Sequence, residues 1–246
     1  MPAALAAALS ATQALLAATT LALALMAPAA AAPLRLLVYP IPGLFDELED
    51  GQIGGPGGEL VAKIGRGSEV PFEAASLPIA RAWQLIQAQP MSCVVGMTRA
   101  PDREARFQWV APVSRADFIV YGRADSPPIS PDLSALRGRA VVVLRETTPA
   151  RQLRELGIAA QEASSTLSAL RMLQVGRVDY WYAHQLVAES AANAAGGTPI
   201  KALFSTERLD GYLACNPQVP AATIDKLRTV MQRLRRNGEL ASFGLR

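Results

Sequence analysis

The stretch GMTRAPDREARFQWVAP, residues 96–112, sets three arginines (Arg99, Arg103, Arg106) and two acids (Asp102, Glu104) between an apolar run and the pair Phe107 and Trp109. A guanidinium is a rigid planar fork that keeps its charge at any working pH and fits a carboxylate with two parallel hydrogen bonds. Read alone, Arg103 belongs in a surface ion pair with a neighbour such as Asp102. Whether it instead faces a binding site depends on the rest of the chain. Arg99 and Arg106 are assigned to the solvated face. Phe107 and Trp109 alternate on one face of an extended segment and are assigned to the core.

Working outward, the 246 residues suffice for one large domain or two small lobes with a substantial core. Half are apolar and 18 % are charged, the composition of a globular protein. The formal charge is +3, and only Lys63, Lys201 and Lys226 are lysines. No basic block with interleaved aromatics marks a nucleic-acid stripe, so nucleic acid is not expected as a partner. With two cysteines and one histidine, a Cys/His zinc site is excluded on ligand count. Cys93 and Cys215 sit in short apolar runs and read either as buried thiols or as a disulfide; spacing does not decide.

Residues 1–34 carry no charged side chain. An Ala/Leu-rich run breaks at Pro28 into small residues, with an A-x-A pattern at Ala29 and Ala31. This is read as a signal peptide over residues 1–31, implying export to the periplasm. The n-region lacks the usual Lys or Arg, and an N-terminal membrane anchor is the competing reading.

Further along, short apolar runs alternate with helical patterns. LRLLVY (34–39), VPFEAAS (70–76), SCVVG (92–96), DFIVYGR (117–123), AVVVL (140–144), VDYWY (178–182) and KALF (201–204) read as strands. Helices are expected near 58–65, 79–88, 164–177, 185–195 and from Pro220 to Asn237. GGPGGE (54–59) reads as a flexible loop and not as a phosphate cradle, because no strand leads directly into it. The alternation argues an α/β protein with largely parallel sheet, interrupted near its middle by SPPISP.

Taken in order, these pieces resemble the bacterial extracellular solute-binding proteins of family 3, the polar-amino-acid type. The resemblance rests on G-M-T-x-x-P-D-R-x-x-x-F-x-W-x-x-P at Gly96–Pro112, with YPIPGLF, SLPIARAW, LRGRAVVVLRETTPARQL, LQVGRVDYWYAH and NGELASFG in family order. It covers residues 34–246. It implies a type II periplasmic-binding-protein fold: two α/β lobes, a central cleft and two crossing hinge strands. Lobe 1 would be residues 32–121 and 208–246, and lobe 2 residues 122–207. It further implies capture of a small polar, carboxylate-bearing solute, amino-acid-like or an organic acid, for an ABC permease. A monomer without cofactor or metal is expected.

The resemblance places Arg103 as the fork for the ligand carboxylate, with Gly96 beside it and the Thr98 hydroxyl as a further donor. Across the cleft, Thr147 and Thr148 would open a helix, with Thr148 as cap and Pro149 first, offering free N–H groups to an anion. Tyr39 is the candidate for stacking on the ligand, with Phe45 behind it and Arg81 a weaker candidate beneath the cleft. Two positions depart from the family pattern. Glu146 replaces a glycine, and His184 falls where an acid usually holds an ammonium group; the alternative for His184 is a cap on the 185–195 helix. An enzyme would need a general acid or base in the cleft, and only His184 and Glu146 could serve, neither with a visible partner. A binding protein without chemistry is therefore expected, with a dehydratase-like enzyme or a solitary sensing module as alternatives.

Overall fold

The computed structural model describes residues 32–245; the proposed signal peptide lies outside them. Strand β1 (Leu34–Val38) shows how the layers arise. Leu34, Leu36 and Val38 face a cluster containing Leu60, Ile64 and Leu227, while Leu37 packs on the opposite side with Ala82 and Ile86. A strand buried on both faces needs helices on both faces, which parallel neighbours supply. Helix α1 (Gly55–Gly67) and the C-terminal helix cover one side and α2 (Ile79–Ala88) the other. β1 runs parallel to β4 (Phe72–Ser76) and β5 (Ser92–Thr98).

The second half repeats the plan. In β7 (Val141–Leu144), Val142 and Leu144 join one cluster and Val141 and Val143 another. It lies parallel to β8 (Gln161–Ala163) and β9 (Tyr180–His184), with α3 (Thr148–Glu155), α4 (Thr166–Gln174) and α5 (Gln185–Ala195) packed around them. Asp179 closes the strand end by accepting the Ala140 N–H at 3.2 Å.

The halves are joined by two sixteen-residue antiparallel strands, β6 (Gln108–Arg123) and β10 (Ile200–Cys215). Gly211–Cys215 of β10 pair with β5, whereas Phe118–Tyr121 of β6 pair with β9. The sheet order is β4-β1-β5-β10-β6-β9-β7-β8, and a short hairpin, β2 (Asp46–Glu47) with β3 (Ile53–Gly54), stands apart. Register shifts between Ser205 and Arg208 and between Gly211 and Tyr212 bend the crossing ribbon. Arg115 faces Asp210 and Arg208 faces Asp117 there, each pair bidentate with a shortest contact of 2.6 Å. Helix α6 (Ala221–Arg236) returns to the first half, burying Ile224, Leu227, Met231 and Leu234 as the periodicity predicts.

Three sequence expectations change. The strands expected at 117–123 and 201–204 are the ends of much longer ones. β8 and the β2–β3 hairpin were not anticipated. GGPGGE is not a loop: α1 begins at Gly55 with Pro56 in its first turn. Its glycines permit close approach, since a Cβ on Gly57 would lie 2.3 Å from the Phe45 ring and one on Gly58 2.0 Å from the Ile53 carbonyl oxygen.

The cysteines are paired. Cys93 of β5 and Cys215 of β10 face each other in register, both fully buried, and their bond joins residues 122 apart in sequence. A cross-link over so long a loop restricts the unfolded chain strongly. The double variant Cys93→Ala/Cys215→Ala is expected to lose about 2–5 kcal/mol of stability in urea denaturation. Wild-type protein in reductant should approach the same midpoint once unfolding exposes the bond.

Candidate functional site

The C-terminal ends of β1, β5, β7 and β9 point toward one cleft between the halves, where open α/β sheets place their ligands. The cleft holds about 1030 Å³ of space, its open mouth included. Gly96, Thr98, Arg103 and Tyr39 line it from one side, and Thr147, Thr148 and His184 from the other. All seven sequence-derived candidates therefore meet around one cavity. Arg81 is exposed and does not line it, and Phe107 and Trp109 pack outside it.

Arg103 sits in a 3-10 turn, Pro101–Arg106, and is 7 % exposed. Its guanidinium lies over the Trp83 ring, 4.4 Å from the centroid, and Nη1 donates to the Thr98 carbonyl at 3.3 Å. Nε is buried without a hydrogen-bond partner; the nearest Asp102 oxygen is 3.6 Å away. Burial pulls the pKa below the usual arginine value, Asp102 opposes this, and Arg151 across the cleft adds to it. Thr98 thus contributes its carbonyl to Arg103. Gly96, at φ +89°, holds a left-handed turn in β5 that favours glycine.

On the other side, α3 opens one residue earlier than expected. Thr147 is the cap residue in extended conformation, and its hydroxyl donates to the Leu144 carbonyl at 2.6 Å. Thr148 is instead the first helical residue, 2 % exposed, with its hydroxyl unpartnered. The correction follows from Pro149, which fits the first helical turn at either of its opening positions. The start of that helix, Thr147, Thr148 and Pro149, lines the cavity, and N–H groups of a first helical turn lack partners within the helix. Glu146, exposed, holds φ +60° in the preceding turn.

His184 ends β9 at the cap position of α5, but its side chain caps nothing. The ring stands edge-on to Phe118 at 5.3 Å, and Nδ1 is buried without a partner. Burial drives its pKa down to about 4, only partly opposed by Asp117, so the imidazole is neutral at pH 7. Burial likewise pushes the hydroxyls of Tyr39 and Tyr182 up to about 12. Tyr182, Trp83, Phe118, Leu144 and Phe243 also line the cavity, and sequence reading did not single them out as site residues. Trp83 had a visible signal, closing the SLPIARAW stretch one turn into α2.

A histidine held neutral in the fold but charged when unfolded favours the unfolded state as pH falls. Its contribution is complete above pH 6.5, erodes as pH drops, and levels off below about 4. Over that window wild type should lose up to about 3 kcal/mol more stability than His184→Asn. Urea midpoints measured at half-unit pH steps check this, and parallel curves would refute it.

No family model and no curated protein sequence matches the chain. Solved structures match it closely in architecture. A mutant of ArgBP from T. maritima superposes with a TM-score of 0.75 at 17 % identity, over 85 % of this chain and 92 % of that one. A histidine kinase sensor domain with similarity to periplasmic binding proteins gives 0.77 at 18 %, over 86 % and 94 %. The GluR0 ligand-binding core from Nostoc punctiforme, in complex with (L)-glutamate, gives 0.73 at 17 %, over 86 % and 97 %. With two sheet halves, a cleft between them and two crossing strands, the chain has the two-lobe, type II periplasmic-binding-protein fold that its sequence resembles.

Proposed function

We propose that this protein is a solute-binding protein that captures a small carboxylate-bearing molecule by lobe closure and delivers it to an ABC permease. The observation that carries the reading is Arg103: a cleft-lining cation, nearly excluded from water, whose Nε makes no hydrogen bond and has only an Asp102 oxygen 3.6 Å away. A buried charge without a full counter-charge is costly, and an incoming carboxylate relieves that cost. The α3 N-terminus faces the same cavity and suits the same anion. A ligand held from both sides favours the closed state, because those contacts are lost on opening.

The moving bodies are residues 32–121 with 208–246, and residues 122–207. The protein acts in the periplasm as a monomer, after export on residues 1–31. It needs no chemistry of its own: His184 and Glu146 line the cleft, but no hydrogen bond joins them into an acid–base pair. The similar structures named above include one in complex with (L)-glutamate, which accords with a carboxylate ligand. The similar sensor domain favours one second reading, a module that reports its ligand to a kinase. Genes for a permease and ATPase beside this one would favour transport.

The test is calorimetry with a panel of amino acids and organic acids, paired with small-angle scattering. A binder should shrink the radius of gyration. Arg103→Ala should weaken binding about 10- to 100-fold, the loss of a charge-assisted hydrogen bond pair. A ligand bound equally well by wild type and Arg103→Ala would overturn the proposal.

A further inference from the structure

The cavity's charge is one-sided. Its ionisable lining consists of Arg103, Glu146, His184, Tyr39 and Tyr182. Arg103 is the buried cation; the histidine and both tyrosines are neutral at pH 7. Glu146 is the one carboxylate among the lining residues, and it stands exposed in the turn leading into α3, beside the anion end. The nearest other acids are committed elsewhere. Asp102 stands between Arg103 and Arg151, 3.6 Å from each, Asp117 is held by Arg208, and Glu189 accepts from Tyr121 and Gln185.

An ammonium group entering this space would lose its water with no buried carboxylate to receive it, and an unpaired buried charge is strongly unfavourable. The remaining wall is largely apolar, with Trp83, Met97, Phe118, Leu144, Leu186 and Phe243 facing the space. Three residues of this lining nonetheless carry a buried polar atom without a hydrogen bond: Arg103 Nε, Thr148 Oγ1 and His184 Nδ1. The first two suit a carboxylate. The third, on a neutral ring, suits a neutral oxygen.

We propose that the ligand is an amine-free carboxylic acid with an apolar body, a 2-oxo or 2-hydroxy acid. Its carboxylate meets Arg103 and Thr148, and its 2-oxygen meets His184 Nδ1. This rests on the carboxylate reading above and narrows it. His184 is then the residue that selects oxygen over ammonium at the second carbon: a neutral imidazole can share a proton with a hydroxyl or donate to a ketone, but gives a cation no counter-charge.

The test pairs acids that differ only at that carbon: 4-methyl-2-oxopentanoate and 2-hydroxy-4-methylpentanoate against L-leucine, phenylpyruvate and 3-phenyllactate against L-phenylalanine, and pyruvate and lactate against L-alanine. Calorimetry on wild type should show an amine-free member binding at least tenfold tighter than its amino acid. His184→Asp should reverse that order by supplying the missing carboxylate, while Glu146→Gln should leave it unchanged. An amino acid bound as tightly as its partners would overturn this inference and leave the carboxylate reading standing, as would amino-acid binding lost in Glu146→Gln. Failure of every acid to bind would overturn both.

Discussion

The arrangement depends on keeping one guanidinium out of water. Arg103 is nearly buried, and each of its neighbours compensates only in part. The Trp83 face offers a cation–π contact worth about 1–2 kcal/mol when desolvated. The Thr98 carbonyl takes one N–H, and Asp102 stands just beyond hydrogen-bonding distance. The backbone holds the side chain in this position. Pro101 starts the 3-10 turn, and the Arg103 N–H donates to the Ala100 carbonyl at 3.1 Å. The site is thus a charge set on a rigid turn with its partner left incomplete, a demanding state for a resting protein and a natural one for a receptor.

The halves are coupled by polar contacts that surround this charge. Asp102 faces Arg103 with one oxygen and Arg151 of α3 with the other, each at 3.6 Å, so one carboxylate spans the cleft. Behind the cleft, the paired Arg115–Asp210 and Arg208–Asp117 contacts flank the bulged part of the crossing strands. Exposed pairs of this kind contribute about 0–1 kcal/mol each. Their effect is therefore geometric: they fix which residues face one another where the ribbon bends, and leave the stability of each half to its own core.

Much of this was legible in the sequence, and the exceptions have physical causes. The α/β alternation, β1, β7 and α6 follow from periodicity because their apolar faces meet a core. Of the crossing strands, β10 was read short because its middle has little core to face. Residues 205–210, STERLD, are polar and part-exposed, so backbone pairing holds them and no hydrophobic pattern marks them. GGPGGE failed for the opposite reason: its glycines signal contact with Phe45 and Ile53, which a single sequence presents as looseness. At the site, Arg103 and the Thr147-Thr148 pair came from resemblance to a family, and residue type alone favoured a surface pair for Arg103. The cap fell one residue away because two adjacent threonines are equivalent by propensity, and only the hydrogen bond to Leu144 separates them. Trp83 was missed because an aromatic at helical spacing ordinarily belongs to the core.

The cleft is also tied to the hinge. Tyr182, which lines the cavity, donates to Gln152 of α3 at 2.6 Å and meets the Thr206 hydroxyl at 2.8 Å. Gln152 in turn donates to Glu207, and Thr206 donates to the Phe118 carbonyl. Thr206 and Glu207 lie between Ser205 and Arg208, where β10 shifts register against β6. Helix α3 thus carries three things at once: a first turn that lines the cavity, Arg151 reaching toward Asp102, and Gln152 anchored to the bend. A ligand carboxylate acting on the first end of this helix acts on a body already fastened to the hinge at the other. Because Asp102 never comes within hydrogen-bonding distance of Arg103, a bound carboxylate could satisfy that guanidinium while Asp102 keeps its place opposite Arg151. On the proposed function, ligand charge and interlobe charge would add in the closed state, and only contacts specific to that state can shift the balance toward it.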